Sequence, residues 1–247
     1  MKLPEVQLLG KPLPQKGWRR PTRGLVEAYR QQLAEGLAPP FSPHLYTEAS
    51  PATVGDLKNE RTHRGIQLLG EYTRPRSKSS LTAVGMAYPQ LARASDRSIR
   101  ALAVQMGMAD ARKESRTDNV HTLINPTYQP LKSSGRVVRL EICFSTPGIG
   151  LQILRWQQIM LHIPGKRSRM LDDNDSWYVQ HEGDHLDGTL NTDVARQQRR
   201  PLYYVPPEWK DLFFRGGFTP AWPTFPFSQY DAMKTGEFDL ADYFRFL

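Results

Sequence analysis

The chain has 247 residues and a formal net charge of +8, with 39% hydrophobic and 10% aromatic residues. That is enough apolar material for one cored domain with extensions, but no apolar run approaches the ~18 residues of a membrane span. A single cysteine excludes an internal disulfide, which fits a reducing compartment or an organelle matrix.

Pro4, Lys11, Pro12, Pro14 and Lys16 interrupt the start, so no secretory signal is expected and residues 1–24 read as extended. The first 80 residues hold 13 Lys and Arg against 7 Asp and Glu. Their densest basic stretch, Lys16 to Arg23, encloses Trp18. It reads either as a solvated arm or as a contact to rRNA phosphates with Trp18 stacked on a base. Leu25 to Ala38 predicts a short helix with Leu25, Tyr29 and Leu33 on one face, stopped by Gly36 and Pro39-Pro40. Residues 39–82 read as a long connection with a strand near Ile66 to Leu69. A helix and a motif are expected over 87–107 and strands over about 122–162. Within those strands, β-prone Val137 to Phe144 is broken by Pro147-Gly148. A second helix is expected over about 174–187. The tail, 201–247, crowds aromatic residues such as Trp209, Phe213, Phe214 and Trp222 among prolines. It either wraps its own domain or anchors a protein partner.

The most informative stretch is Gln180-His181-Glu182-Gly183-Asp184-His185-Leu186-Asp187-Gly188. On a helix, His181 and His185 lie on one face and can grip one metal ion, with Glu182 placed to take a proton from water. Two imidazoles leave a catalytic site one protein ligand short.

Three segments resemble the peptide deformylases. Glu141-Ile142-Cys143-Phe144-Ser145 with Pro147-Gly148 is similar to the family's EGCLSxPG, and Gln180 to Gly188 to its QHExDHLxG. Ala101 to Gly107 is similar, more weakly, to its GLAAxQxG. Ile124-Asn125-Pro126 before the cysteine strand, and Arg155, Ile159 and Gly165 after it, agree with this order. The resemblance covers about residues 85–195.

It implies an α+β fold, with peptide-deformylase-like antiparallel sheets around a central metal-binding helix. The implied domains are a basic, proline-rich extension (1–82), the metal domain (83–200) and an aromatic extension (201–247). It implies one divalent ion, Fe(2+) or Zn(2+), held by Cys143, His181 and His185, with Glu182 as proton carrier. The Gln105 amide and the Phe144 backbone N–H would receive the oxyanion. Asp184 is a candidate for fixing nearby geometry. The implied activity is removal of the N-formyl group from methionine of nascent organellar chains, with the mitochondrial matrix as the expected compartment. The basic start and the aromatic tail lie outside the shared segments and make the ribosome a candidate partner.

The substrate-facing residues depart from the family. Ser98-Ile99-Arg100 stand where glycines are expected, so Arg100 is expected to project into the cleft. Ile142 replaces the glycine before the cysteine. Trp177 and Tyr178 occupy the methionine-pocket positions, and Arg155 is also expected to face substrate. These departures leave an alternative: a deformylase-like structural or assembly component of a mitochondrial ribosome, with little activity.

Overall fold

The computed structural model describes residues 42–74, 83–91, 97–107 and 119–205, with shorter pieces at 7–8, 11–12, within 27–38 and within 224–231. In chain order the strands are β1 (Gln7–Leu8), β2 (Lys11–Pro12), β3 (Gly85–Ala87), β4 (Ala101–Gln105), β5 (Val120–Ile124) and β6 (Thr127–Pro130). Then follow β7 (Arg136–Ile142), β8 (Ile149–Trp156), β9 (Gln158–His162), β10 (Arg169–Asp172), β11 (Leu202–Tyr204) and β12 (Thr224–Phe225). β1 pairs with β2 alone, and the rest form three antiparallel sheets, ordered β3-β4-β5, β10-β9-β6 and β12-β11-β8-β7. One helix, Asp173–Leu186, packs against β3, β4, β8 and β10. Its buried residues fall on two faces, Ser176, Val179, Gln180, Gly183 and Leu186 on one and Tyr178, Glu182 and His185 on the other, as a helix enclosed by sheets requires. The expected α+β arrangement around a central helix is what the chain forms.

Local sequence explains the framework. β4 is buried along its whole length, so it reads as an unbroken apolar run rather than an alternation. The hairpin between β9 and β10 turns at Gly165, with φ of +74°. The central helix ends at Gly188, whose φ is +65° and where a Cβ would lie 2.8 Å from the backbone of Tyr46. Only glycine satisfies both demands.

Two expected elements need correction. Ile66 to Leu69 is not a strand but the middle of a helix, Glu60–Thr73, started by Asn59, whose side chain accepts from the Thr62 N–H. That helix buries Leu69, Tyr72 and Thr73 and packs on β3, β4 and β5. Leu69 and Tyr72 thereby share one apolar cluster with Met86, Ala101 and Ala103. Residues 87–107 hold no helix of the expected kind among the described residues; a short 3-10 turn, Tyr88–Gln90, and β4 occupy them. The helix expected over Leu25 to Ala38 has helical residues at 27, 30–31 and 33–34 and stops at Gly36, with φ of +85°.

Part of the tail wraps its own domain. β12 pairs with β11, and Tyr230 is fully buried among Ile149, Leu151 and Ile153. The Tyr230 hydroxyl lies 3.3 Å from that of Tyr46. Arg196 stacks on Phe227, 4.7 Å from the ring centroid, and pairs with Asp231. The remaining tail aromatics named above, and the basic stretch Lys16 to Arg23, lie outside the described residues.

Candidate metal centre

β7 ends at Ile142, so Cys143 leaves the sheet where the chain turns, and the central helix carries His181 and His185 past it. The Cys143 sulfur lies 3.2 Å from Nε2 of His185. One ligand atom from each of Cys143, His181 and His185 lies within 4.8 Å of the others. Ligands around a four-coordinate Zn(2+) sit ~3.5 Å apart, from bonds of ~2.0–2.3 Å, so the three need only small adjustments to share one ion. Burial alone would raise the Cys143 thiol, but the His185 and His181 imidazoles overcome it and hold the thiol well below its ordinary range. One thiolate and two imidazoles in a buried site are a donor set that suits Fe(2+) or Zn(2+).

A carboxylate orients the first histidine. Glu141, one of the most buried polar side chains, accepts from Nδ1 of His181 at 2.7 Å, which leaves Nε2 to face Cys143. The Arg155 guanidinium grips Glu141 with Nε at 2.7 Å and Nη2 at 3.1 Å, and reaches Asp184 with Nη1 at 2.5 Å. Trp177 donates its indole N–H to Glu141 at 2.7 Å. Burial pulls against the ionised Glu141, but Arg155 and His181 outweigh it and hold its carboxyl far below the usual range. Gln180 bonds the backbone N–H and C=O of Trp156, fixing the helix to the end of β8. Asp184 thus has the geometry-fixing place expected of it, through Arg155.

Glu182 points to the other side of the ligands. Its carboxylate lies against β3, where a Cβ on Gly85 would come within 2.5 Å of Oε1. Only a residue without a side chain fits there. One oxygen of Glu182 is buried with no hydrogen-bond partner among the described residues. Burial pushes this carboxyl up to about 7, which suits a group that takes and returns a proton near neutral pH.

The expected oxyanion donor and the expected cleft residues are partly corrected. Gln105 is turned away: its amide N–H groups donate to the carbonyls of Thr73, at 2.5 Å, and Ala83, at 3.3 Å. The glutamine at the centre is Gln90. Its Oε1 accepts from the Ala87 N–H at 2.8 Å, which aims the amide nitrogen at Ser145 Oγ, 3.2 Å away, and at the Cys143 sulfur, 3.7 Å away. Gly85-Met86-Ala87-Tyr88-Pro89-Gln90 therefore holds the place first given to Ala101 to Gly107. Against GLAAxQxG each stretch keeps three of the six fixed letters: Gly85, Ala87 and Gln90 in one, Ala103, Gln105 and Gly107 in the other. Letters alone do not decide between them, and distance to the cysteine does.

Arg100 does not project into a cleft. It donates to the Leu186 carbonyl at 3.3 Å and to Asp187 at 2.8 Å, a cation at the carboxyl end of the central helix. Arg155 is likewise not exposed to a substrate but buried behind His181. Phe144 packs partly buried against the cluster that includes Met86 and Tyr88. Ile142 is a partly buried strand end paired with Gly150. Tyr178 is buried in the main core, while Trp177 is partly buried beside Glu141.

A family model described as polypeptide deformylase matches residues 42–201, and the chain belongs to that family. Peptide deformylase 1 of Streptomyces coelicolor is 38% identical over 77 residues, 30% of this chain and 35% of that protein. The peptide deformylase of Chlorobaculum parvum is 31% identical over 124 residues, 48% of this chain and 62% of that protein. The chain thus matches less than two thirds of the length of these relatives. Among solved structures, an actinonin-bound class I type b peptide deformylase from Acinetobacter baumannii is 21% identical, with a TM-score of 0.50 over 64% of this chain and 96% of that one. That likeness speaks to the fold.

The raised Glu182 carboxyl has a stability consequence. Its folded value of about 7 exceeds the ordinary 4.5. Ionisation therefore costs the folded state nothing at pH 4, a growing amount as pH rises, and a constant amount above pH 7. In metal-free protein, Glu182→Gln is expected to raise stability at pH 8 by up to about 3 kcal/mol, the gain vanishing near pH 4. Denaturation series at the two pH values check this; an equal effect at both contradicts it.

Proposed function

We propose that the protein is a metal-dependent hydrolase that removes the formyl group from the N-terminal methionine of nascent chains. The single observation that carries this reading is the convergence of Cys143, His181 and His185 beside the buried carboxyl of Glu182. A divalent ion held there, Fe(2+) or Zn(2+), would supply charge to polarise the formyl carbonyl and make water more acidic.

The chain's own residues supply the rest. Glu182 takes the proton of the attacking water and returns it to the departing amine, so that formate and a free amino terminus result. The Gln90 amide, held by Ala87, donates to the developing oxyanion together with the Phe144 backbone N–H. Glu141 and Arg155 keep His181 in one tautomer. The alternative of a nearly inactive ribosomal component draws on the basic start, the aromatic tail and a cleft filled by Arg100, Ile142, Trp177 and Tyr178; of these, Arg100 is engaged at a helix end instead.

Formate release from a formyl-Met peptide tests the reading. Metal-loaded protein is expected to turn over, chelation to abolish turnover, and Fe(2+) or Zn(2+) to restore it. Glu182→Gln and Gln90→Ala should each lose ~100-fold or more while keeping the metal. Gln105→Ala should lower stability instead. No formate from metal-loaded wild type overturns the proposal.

The same reading puts the enzyme in the mitochondrial matrix, on the strength of the lone cysteine and the basic start. It gives the ribosome as a partner through the basic start, with Lys16 to Arg23, and the aromatic tail. Binding through the basic start weakens steeply with salt, whereas a buried aromatic anchor resists it. Co-sedimentation with organellar ribosomes across a salt series separates the two, and absence from the ribosomal pellet at low salt speaks against the partnership.

A further inference from the structure

The hydrogen bond from Trp177 to Glu141 has no counterpart in the motifs that place the chain in its family. An ionised carboxylate offers about four lone-pair positions. Glu141 fills them with four donors. Oε1 accepts from Arg155 Nε at 2.7 Å and from Trp177 Nε1 at 2.7 Å. Oε2 accepts from Arg155 Nη2 at 3.1 Å and from His181 Nδ1 at 2.7 Å. Trp177 and His181 are four apart on the central helix and so share a face. Each donates to a different oxygen of the same carboxylate, which fastens one helical turn to β7.

The indole is itself held in place. The Arg139 guanidinium lies over the Trp177 ring, 5.3 Å from the centroid, and the Tyr178 ring lies 5.0 Å away at 38°. Arg139 and Glu141 are two apart on β7 and share a face of the sheet, so one strand supplies both the carboxylate and the cation that brackets the indole. Arg155, forked across both oxygens, aligns the plane of the carboxylate. The Trp177 bond fills the remaining position on Oε1 and ties that oxygen to the helix that carries His181.

We infer that Trp177 is a positioning residue for the metal site: its indole N–H locks Glu141, Glu141 locks His181, and divalent-metal affinity follows. This rests on the metal-site reading, but not on any substrate or on turnover.

The test is Zn(2+) titration of the full-length protein against a competing chelator. Trp177→Phe keeps an aromatic ring and removes the donor; it should bind Zn(2+) about 10-fold more weakly, at the low end of the usual effect of such supports. Trp177→His, which can restore a ring N–H, should recover part of the loss. Leu69→Ala, a core change in the helix Glu60–Thr73, which supplies no residue to the site, controls for general destabilisation and should keep wild-type affinity. Trp177→Phe within twofold of wild type overturns the inference, as does an equal loss in Leu69→Ala. Wild type that binds no Zn(2+) overturns the metal-site reading itself, and this inference with it. Should Trp177→Phe fail to fold, ¹⁵N-tryptophan NMR of wild type decides. The Trp177 indole N–H is expected far downfield and shifted by Zn(2+); a solvent-like resonance indifferent to Zn(2+) overturns the inference.

Discussion

The site depends on a buried carboxylate. Glu141 lies in the interior between a sheet and the central helix, where an unpaired charge would cost several kcal/mol. Arg155 neutralises it from the neighbouring strand β8, and Asp184 takes the third nitrogen of that guanidinium from the helix. The chain Asp184–Arg155–Glu141–His181 therefore begins and ends on one helix and passes through two strands between. Removing either charged partner would leave the other buried and uncompensated. The arrangement fixes one packing of helix on sheet more firmly than apolar contacts alone would.

A second constraint acts from the opposite side. Glu182 stands next to His181 in sequence but faces β3, where Gly85 leaves room for its carboxylate. Neighbouring helix residues point about 100° apart, so one short segment serves a strand on each side. His181 is tied to β7 through Glu141, while Glu182 is pressed against β3 with no hydrogen-bond partner for one oxygen among the described residues. The first is oriented by hydrogen bonds, the second tuned by burial. That difference suits a ligand that must not move and a carboxyl that must change its charge.

What was legible in the sequence follows from how local each signal is. The HExxH pair needs only helical spacing, and the cysteine strand is marked by its β-prone run and the Pro-Gly break, so metal ligands, helix and strands were readable. Gln90 was missed because Ala101 to Gly107 offers an equally good letter match inside a more regular apolar strand. Only the distance from Cys143 separates the two glutamines. Arg155 is marked in the sequence only by its distance from Pro147-Gly148; its burial depends on two carboxylates distant in sequence, Glu141 and Asp184. The helix Glu60–Thr73 was hidden by polar residues on its outer face, and the Asn59 cap was its readable sign. Trp177 was judged by bulk alone, because the bond its indole makes depends on a strand 36 residues earlier.

The family accounts for residues 42–201, and the chain builds beyond that limit: β12 and Tyr230 close the sheet that carries the cysteine strand. The centre of the account is that one thiolate and two imidazoles, held by this framework, bind a single ion. X-ray absorption at the metal edge of the loaded full-length protein measures that most directly. The account predicts one sulfur neighbour at ~2.3 Å and nitrogen or oxygen neighbours at ~2.0–2.1 Å. A shell of nitrogen and oxygen alone, with no sulfur, would contradict it.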